Sequence, residues 1–139
     1  MIGGVVAYTA LTGPLIDIPD DPCAERPQLR TVDGVRLQPE AMEAFVEAQQ
    51  EAGTAIPVVE SFRSCAQQRM ACRNICGIAE GCPGLCARPG KSWHQLGAAI
   101  DITQEGLDTP GIVGALQDNG WCQSVPASDP GHFSFDGCH

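Results

Sequence analysis

The sequence has few aromatic residues, few basic residues and no long hydrophobic run. Aromatic side chains make up 5% of the chain, so broad stacking surfaces for sugars or nucleobases are not expected. Eight basic residues stand against 17 acidic ones, giving a net charge of -9. This balance excludes nucleic acid as a partner, because such binding needs Lys and Arg to neutralise phosphates. No apolar run approaches the roughly 20 residues that cross a bilayer, so no membrane span is predicted.

What the sequence does contain is typical of one small folded domain. Hydrophobic residues make up 43% of the chain and charged residues 18%, a balance that disordered chains lack. A length of 139 residues corresponds to a single domain. The first 16 residues carry no charged side chain and so lack the basic start of a signal peptide. Any export signal is therefore expected to have been removed.

Eight cysteines are many for a chain of this size, and they stand at positions 23, 65, 72, 76, 82, 86, 122 and 138. An even, dense set predicts up to four disulfides, which persist in oxidising compartments. A structural metal site is the alternative, because residues 72–86 contain a C-x3-C-x5-C-x3-C string. That site would leave the other cysteines unexplained, and zinc-binding pairs more often have two-residue spacers. The spacing favours disulfides and a secreted, extracytoplasmic protein.

Local patterns predict a small, disulfide-rich α+β domain with a central antiparallel sheet flanked by helices. Prolines make residues 1–34 an irregular segment, and the folded domain is assigned to 35–139. Apolar periodicity and flanking Gly and Pro predict helices at 39–52, 66–74 and 109–119 and strands at 56–60, 97–103 and 133–135. Four glycines, two prolines and three cysteines at 76–91 exclude regular structure there, so a cross-linked Cys-rich loop is assigned to 72–91.

Two of the three histidines lie in segments with zinc-binding side chains. His94 precedes a predicted strand that contains Asp101, and imidazole nitrogen and carboxylate oxygen both bind zinc at about 2.0–2.2 Å. A hydrogen-bonded pair is the commoner outcome for an isolated His and Asp at this spacing. His132 lies in D-P-G-H-F at 129–133, where it could supply a third ligand and Asp129 could reach a water at the metal. Asp-Pro-Gly also favours a turn, and the two interpretations are compatible.

Arg63 and Gln68 form a third candidate segment, directly after the predicted strand 56–60. A guanidinium donates two parallel hydrogen bonds and therefore suits a carboxylate or a developing oxyanion. Taken alone, such an arginine is more often a surface salt-bridge partner. Gln68, five residues later, is expected to help fix the loop.

Three segments in order resemble those of the zinc D-alanyl-D-alanine carboxypeptidase family, which groups with lysostaphin-like and hedgehog-type metallopeptidases. The string S-x-H-x-x-G-x-A-x-D at 92–101 resembles its signature. E-S-F-R-S-x-x-x-Q at 60–68 is similar to its S-G-Y-R-S-x-x-x-Q segment, and D-P-G-H-F at 129–133 to its closing acid-x-x-H-F. Asp129 stands where many carboxypeptidases of this family have Glu, and Gly131 replaces a common aromatic residue, which is expected to open the site.

The resemblance implies a role for each matching residue. One zinc ion per chain would be bound by His94, Asp101 and His132. Asp129 would be the catalytic acid/base, and Arg63 would bind the substrate carboxylate or the tetrahedral oxyanion. The remaining substrate contacts are assigned to Ser92 and Gln68. Because Cys122 and Cys138 flank the third segment, we also predict that they form a disulfide.

The expected function is hydrolysis of peptidoglycan stem peptides by a monomeric D-alanyl-D-alanine carboxypeptidase in the cell wall or periplasm. An L-alanyl-D-glutamate endopeptidase is one alternative, because Asp in place of Glu at position 129 is typical of that branch and of phage endolysins. A non-catalytic zinc-binding cell-wall module is another, and the complete ligand set with an intact acid argues against it. A disulfide-stapled interaction domain with incidental histidines is the third.

Overall fold

A hairpin opens the described part of the chain, which in this computed structural model comprises residues 27–138. Strand β1 (Arg30–Val32) pairs antiparallel with β2 (Val35–Leu37), so regular structure begins inside the segment predicted to be irregular. The connection is Asp33-Gly34, and both residues have positive φ angles, 50° and 83°. Asp-Gly with this backbone is a favoured two-residue hairpin turn, so the hairpin has a local signal in the sequence. The prediction for residues 1–26 lies outside the described residues.

Two helices follow the predicted boundaries closely. Helix α1 (Pro39–Ala52) begins at a proline, whose fixed φ suits the first turn, and ends at Gly53 with a φ of 74°. Helix α2 (Cys65–Cys76) starts with a capping box, in which Ser64 accepts from the Gln67 backbone and Gln67 accepts from the Ser64 backbone. It runs two residues further than predicted, into the Cys-rich segment.

The predicted helix at 109–119 is wrong at its beginning. The chain instead forms two short helices, α3 (Gln104–Asp108) and α4 (Ile112–Asp118), with Thr103 capping the first. Gly111 separates them because its φ of 93° lies in the left-handed region, where an α-helix cannot continue. Within residues 27–138, no helix is long and apolar enough to cross a bilayer.

A four-stranded antiparallel sheet lies at the centre of the domain. Its strands are β3 (Val58–Glu60), β4 (Ala99–Ile102), β5 (Trp121–Cys122) and β6 (His132–Phe135), in the spatial order β3-β4-β6-β5. The main core packs one sheet face against α1 and α4, and its largest members are Leu37, Phe45, Ile100, Ile112, Leu116, Trp121 and Phe133. The α+β prediction is confirmed.

Disulfides cross-link the loops as the cysteine count predicted. Cys72 bonds to Cys86 and Cys76 to Cys82, so the four cysteines of the alternative metal site are consumed in two disulfides. Cys122 bonds to Cys138, which confirms the predicted pair. Cys65 is also disulfide-bonded, and none of the described cysteines is free. Cys23 lies outside the described residues.

Candidate metal centre and cleft

Pairing of β4 with β6 brings two of the predicted zinc ligands together. Asp101 and His132 are directly opposite each other in the antiparallel register. His94 joins them from a short 3-10 helix, Trp93–Leu96, that leads into β4. The Asp101 Oδ1 atom lies 3.4 Å from His94 Nε2 and 3.1 Å from His132 Nδ1. The three ligand atoms all lie within 4.8 Å of one another.

Hydrogen bonding to the backbone orients His94. Its Nδ1 atom lies 2.7 Å from the carbonyl oxygen of Ser61. A carbonyl can only accept, so Nδ1 carries a proton, and Nε2 is the ring nitrogen that faces Asp101. His94 is buried, with 5% of the residue exposed, so packing also restrains the ring. The Ser61 carbonyl could not be predicted as the partner of His94, because every residue has a backbone carbonyl.

The carboxyl group of Asp101 is ionised under ordinary conditions. Burial raises the pKa of this group, but hydrogen bonds from His132 and His94 outweigh that effect and hold the pKa well below its usual range. A deprotonated carboxylate is the form that binds a metal cation. Two imidazoles and one carboxylate therefore face a common point, and the carboxylate is in the form that a metal needs.

The spacing of these donor atoms fits one zinc ion. Donors bound tetrahedrally at about 2.0–2.2 Å from zinc lie about 3.4 Å apart. The two separations from Asp101 Oδ1, 3.4 Å and 3.1 Å, are close to that value. Three protein donors leave one position for water or substrate, which is the arrangement of a catalytic site rather than a structural one.

The cluster of His94, Asp101 and His132 opens into a cleft of about 910 Å³. All the other residues singled out from the sequence line this cleft, namely Arg63, Gln68, Ser92 and Asp129. The disulfide-linked loop 80–88 forms much of one wall, and Val125 and Ser128 stand on the side of Asp129. Tertiary structure thus brings three segments that are far apart in sequence to one cavity.

Arg63 is fixed from both sides. Its Nη1 donates to Gln68 Oε1 at 2.7 Å, and its Nη2 lies 3.3 Å from a carboxylate oxygen of Glu60. The backbone N–H of Arg63 donates to the carbonyl of His94, which ties this strand end to the metal centre. Glu60 was not predicted as a site residue, although its three-residue spacing from Arg63 was a possible signal.

Ser92 and Asp129 occupy the ends of short turns. The Oγ of Ser92 accepts from the backbone N–H of His94 and caps the 3-10 helix. Asp129 is exposed, and its own backbone N–H donates to the carbonyl of Val125 at 2.8 Å. The carbonyl of Asp129 accepts from the backbone N–H of His132, so the predicted turn is present and presents Asp129 to the cleft.

Gly131 packs closely against the backbone of β4. A Cβ at this position would lie 2.5 Å from the carbonyl oxygen of Ile102, closer than real Cβ atoms approach a backbone oxygen. The Ile102 N–H donates to the Gly131 carbonyl at 2.9 Å, which holds the two segments together. Glycine is therefore explained by close backbone packing beside His132, in addition to any effect on the opening of the site.

Gly131→Ala should destabilise the protein by about 1–3 kcal/mol, because the added methyl group overpacks a backbone contact. Gly114→Ala is the matched control, since a Cβ there meets nothing within 4 Å and the residue lies in α4. That control should stabilise the helix by about 0.5–1 kcal/mol. Urea unfolding of both variants measures the difference, and equal stabilities would contradict the packing argument.

Comparison with known sequences identifies the family. The profile of the VanY D-alanyl-D-alanine carboxypeptidases matches residues 36–124, well over half of the chain. The chain belongs to this family. The match contains Arg63, His94 and Asp101, and it ends before Asp129 and His132, which β6 and its turn add to the same cleft. The family and the carboxypeptidase class predicted from sequence are confirmed.

Solved structures of Van enzymes share the fold at low identity. A mutant of VanY, the vancomycin-resistance D,D-pentapeptidase of a VanB-type cassette, in complex with Zn(II), is 20% identical over 81% of this chain and 80% of that one, with a TM-score of 0.57. VanYB in complex with D-alanine-D-alanine is 19% identical over 85% and 82%, with a TM-score of 0.57. The D,D-dipeptidase VanXYg, with a phosphinate analogue of D-Ala-D-Ala, is 20% identical over 74% and 51%, with a TM-score of 0.51. No curated protein sequence matches the chain.

Proposed function

We propose that this member of the VanY family removes the terminal D-alanine from D-alanyl-D-alanine stem peptides of peptidoglycan. One zinc ion is bound by His94, Asp101 and His132. The observation that carries this proposal is the convergence of the three donor atoms within 4.8 Å, at a cleft lined by Arg63 and Asp129. The relatives with Zn(II) and with D-alanine-D-alanine support the same metal and the same substrate class.

Each side chain of the cleft then has one chemical task. Bound zinc supplies a Lewis acid that polarises the scissile carbonyl and makes water more acidic. Asp129 accepts the proton of the attacking water and delivers it to the departing amine. Arg63 binds the carboxylate at the end of the substrate, since Glu60 and Gln68 hold its guanidinium at the cleft wall. Ser92 and the loop wall contact the rest of the peptide.

The enzyme works outside the cytoplasm on this proposal. Its substrate is cell-wall peptidoglycan, and its disulfides need an oxidising compartment to persist. Reduction would open the loop that lines the cleft, so a cytoplasmic location would be incompatible with the structure of the site.

Mass spectrometry of purified muropeptides is the test. Incubation with the protein should shorten pentapeptide stems by one alanine, a loss that a chelator abolishes and added zinc restores. Cleavage between L-alanine and D-glutamate would instead support an endopeptidase, which the shorter acid at Asp129 favours. Intact muropeptides with zinc-loaded protein would overturn the enzymatic proposal and favour a binding module.

A further inference from the structure

Gln68 connects the cleft wall to a buried disulfide. Its side chain is 2% exposed, and it donates from Nε2 to the carbonyl oxygen of Ala87 at 2.7 Å. The same Nε2 lies 3.5 Å from the Sγ of Cys86 and 3.7 Å from the Sγ of Cys72. Its Oε1 accepts from Arg63 Nη1 at 2.7 Å. One amide group therefore bridges the guanidinium in the cleft and the disulfide behind it.

The chemistry of the two partners fixes the orientation of this amide. Arg63 can only donate, so it requires the oxygen of Gln68, and the Ala87 carbonyl can only accept, so it requires the nitrogen. Reversing the amide would break both hydrogen bonds in a buried position, which is costly. The Gln68 oxygen therefore points at Arg63 as long as the Ala87 carbonyl stays where it is.

The Cys72–Cys86 disulfide holds that carbonyl in place. Cys72 lies one helical turn after Gln68 on α2, and Cys86 immediately precedes Ala87 in the loop. Both cysteines are buried, at 0% and 7% exposure. The bond thus ties the loop to the helix that carries Gln68, within a single turn of the amide. The Cys76–Cys82 bond, with a sequence separation of 6, is nested inside the span that Cys72–Cys86 closes.

We propose that the Cys72–Cys86 disulfide and Gln68 act together as positioning elements for substrate recognition, by holding the Arg63 guanidinium at the cleft wall. This inference rests on the proposed function, because it takes Arg63 as the group that binds the substrate carboxylate. It goes beyond that function in assigning a recognition role to a disulfide that acts through Arg63. Without the bond, the loop carbonyl moves, Gln68 loses its fixed orientation, and Arg63 keeps only Glu60.

A double-mutant cycle on zinc-loaded protein tests the proposal. Arg63→Ala should raise KM for a D-Ala-D-Ala-ended peptide about ten- to hundredfold, the range for hydrogen bonds to charged groups. Cys72→Ala/Cys86→Ala should raise KM roughly fivefold or more in the wild-type background. In the Arg63→Ala background the cysteine change should alter KM by less than about twofold, since coupled residues are not additive.

Removal of the Cys122–Cys138 disulfide is the matched control. Its sequence separation of 16 residues is close to the 14 of Cys72–Cys86, so both losses should cost similar stability. Neither Cys122 nor Cys138 lines the cleft. Cys122→Ala/Cys138→Ala should change KM by the same factor in the wild-type background and in the Arg63→Ala background. Gln68→Met, which leaves every disulfide intact, should reproduce the KM effect if the cysteine variant folds poorly.

A second measurement needs no substrate. Arg63 donates to Gln68 from Nη1, whereas its Nε–H faces Glu60. Solvent exchange of the Arg63 Nη–H protons, followed by NMR, should be slow in the wild type and faster in Cys72→Ala/Cys86→Ala and Gln68→Met. Unchanged exchange, or equal KM effects of the cysteine variant in both Arg63 backgrounds, would overturn the positioning role. If the wild-type protein is inactive but the exchange rates differ as predicted, only the proposed function is contradicted. The link between the disulfide and Arg63 is then still supported.

Discussion

His94→Ala is expected to lose the zinc and nearly all hydrolysis. His94 is the buried ligand, and its Nε2 is aimed by the hydrogen bond from Nδ1 to Ser61. Only Asp101 and His132 would remain, and two protein ligands do not make a catalytic zinc site. A Lewis-acid metal contributes several kcal/mol to such reactions, so the rate should fall by about 10³-fold or more. Elemental analysis and turnover on a D-Ala-D-Ala-ended peptide measure the two effects.

His139→Ala provides the control for this experiment. It removes the third histidine of the sequence, which belongs to none of the three predicted segments. The control should retain one zinc per chain and wild-type turnover. A His94→Ala protein that still carries one zinc per chain would show that the metal is bound elsewhere, and the ligand assignment would be wrong.

Asp129→Asn should separate catalysis from metal binding. Asparagine keeps the size of the side chain and suits the same turn, but it cannot accept and deliver a proton. The backbone bonds that form the turn, from Asp129 to Val125 and from His132 to Asp129, do not involve the carboxylate. General acid–base catalysis is worth about 10²–10⁴-fold, so kcat should fall on that scale while zinc content stays at the wild-type level.

Asp108→Asn is the matched control for the second experiment. Asp108 is an exposed aspartate at the end of α3, and it does not line the cleft. Its substitution should leave kcat unchanged. If Asp129→Asn keeps its zinc and its rate within a few-fold of wild type, Asp129 shapes the turn and takes no part in proton transfer.

Local signals explain which elements could be predicted. Helix α1 has a proline at its start, a glycine at its end and an apolar stripe between them, so its boundaries were correct. The Asp33-Gly34 hairpin has an equally local signal, which was overlooked. The break at Gly111 depends on a φ of 93°. Glycine can adopt this φ but can also adopt helical values, so its presence alone does not predict the break. Short strands such as β5 give too few residues for a periodic pattern.

The sequence by itself determined the family, the α+β class, the disulfide-rich character and the side chains proposed for the site. These properties rest on residue identity and spacing along the chain. Only the tertiary structure decided how those side chains are held: the strand register that sets Asp101 against His132, the Ser61 carbonyl that orients His94, and the Gln68 amide between Arg63 and the disulfide. Each of these contacts joins separate segments through backbone atoms or buried amides. Their partners are set by packing of the whole domain, and local sequence does not encode them.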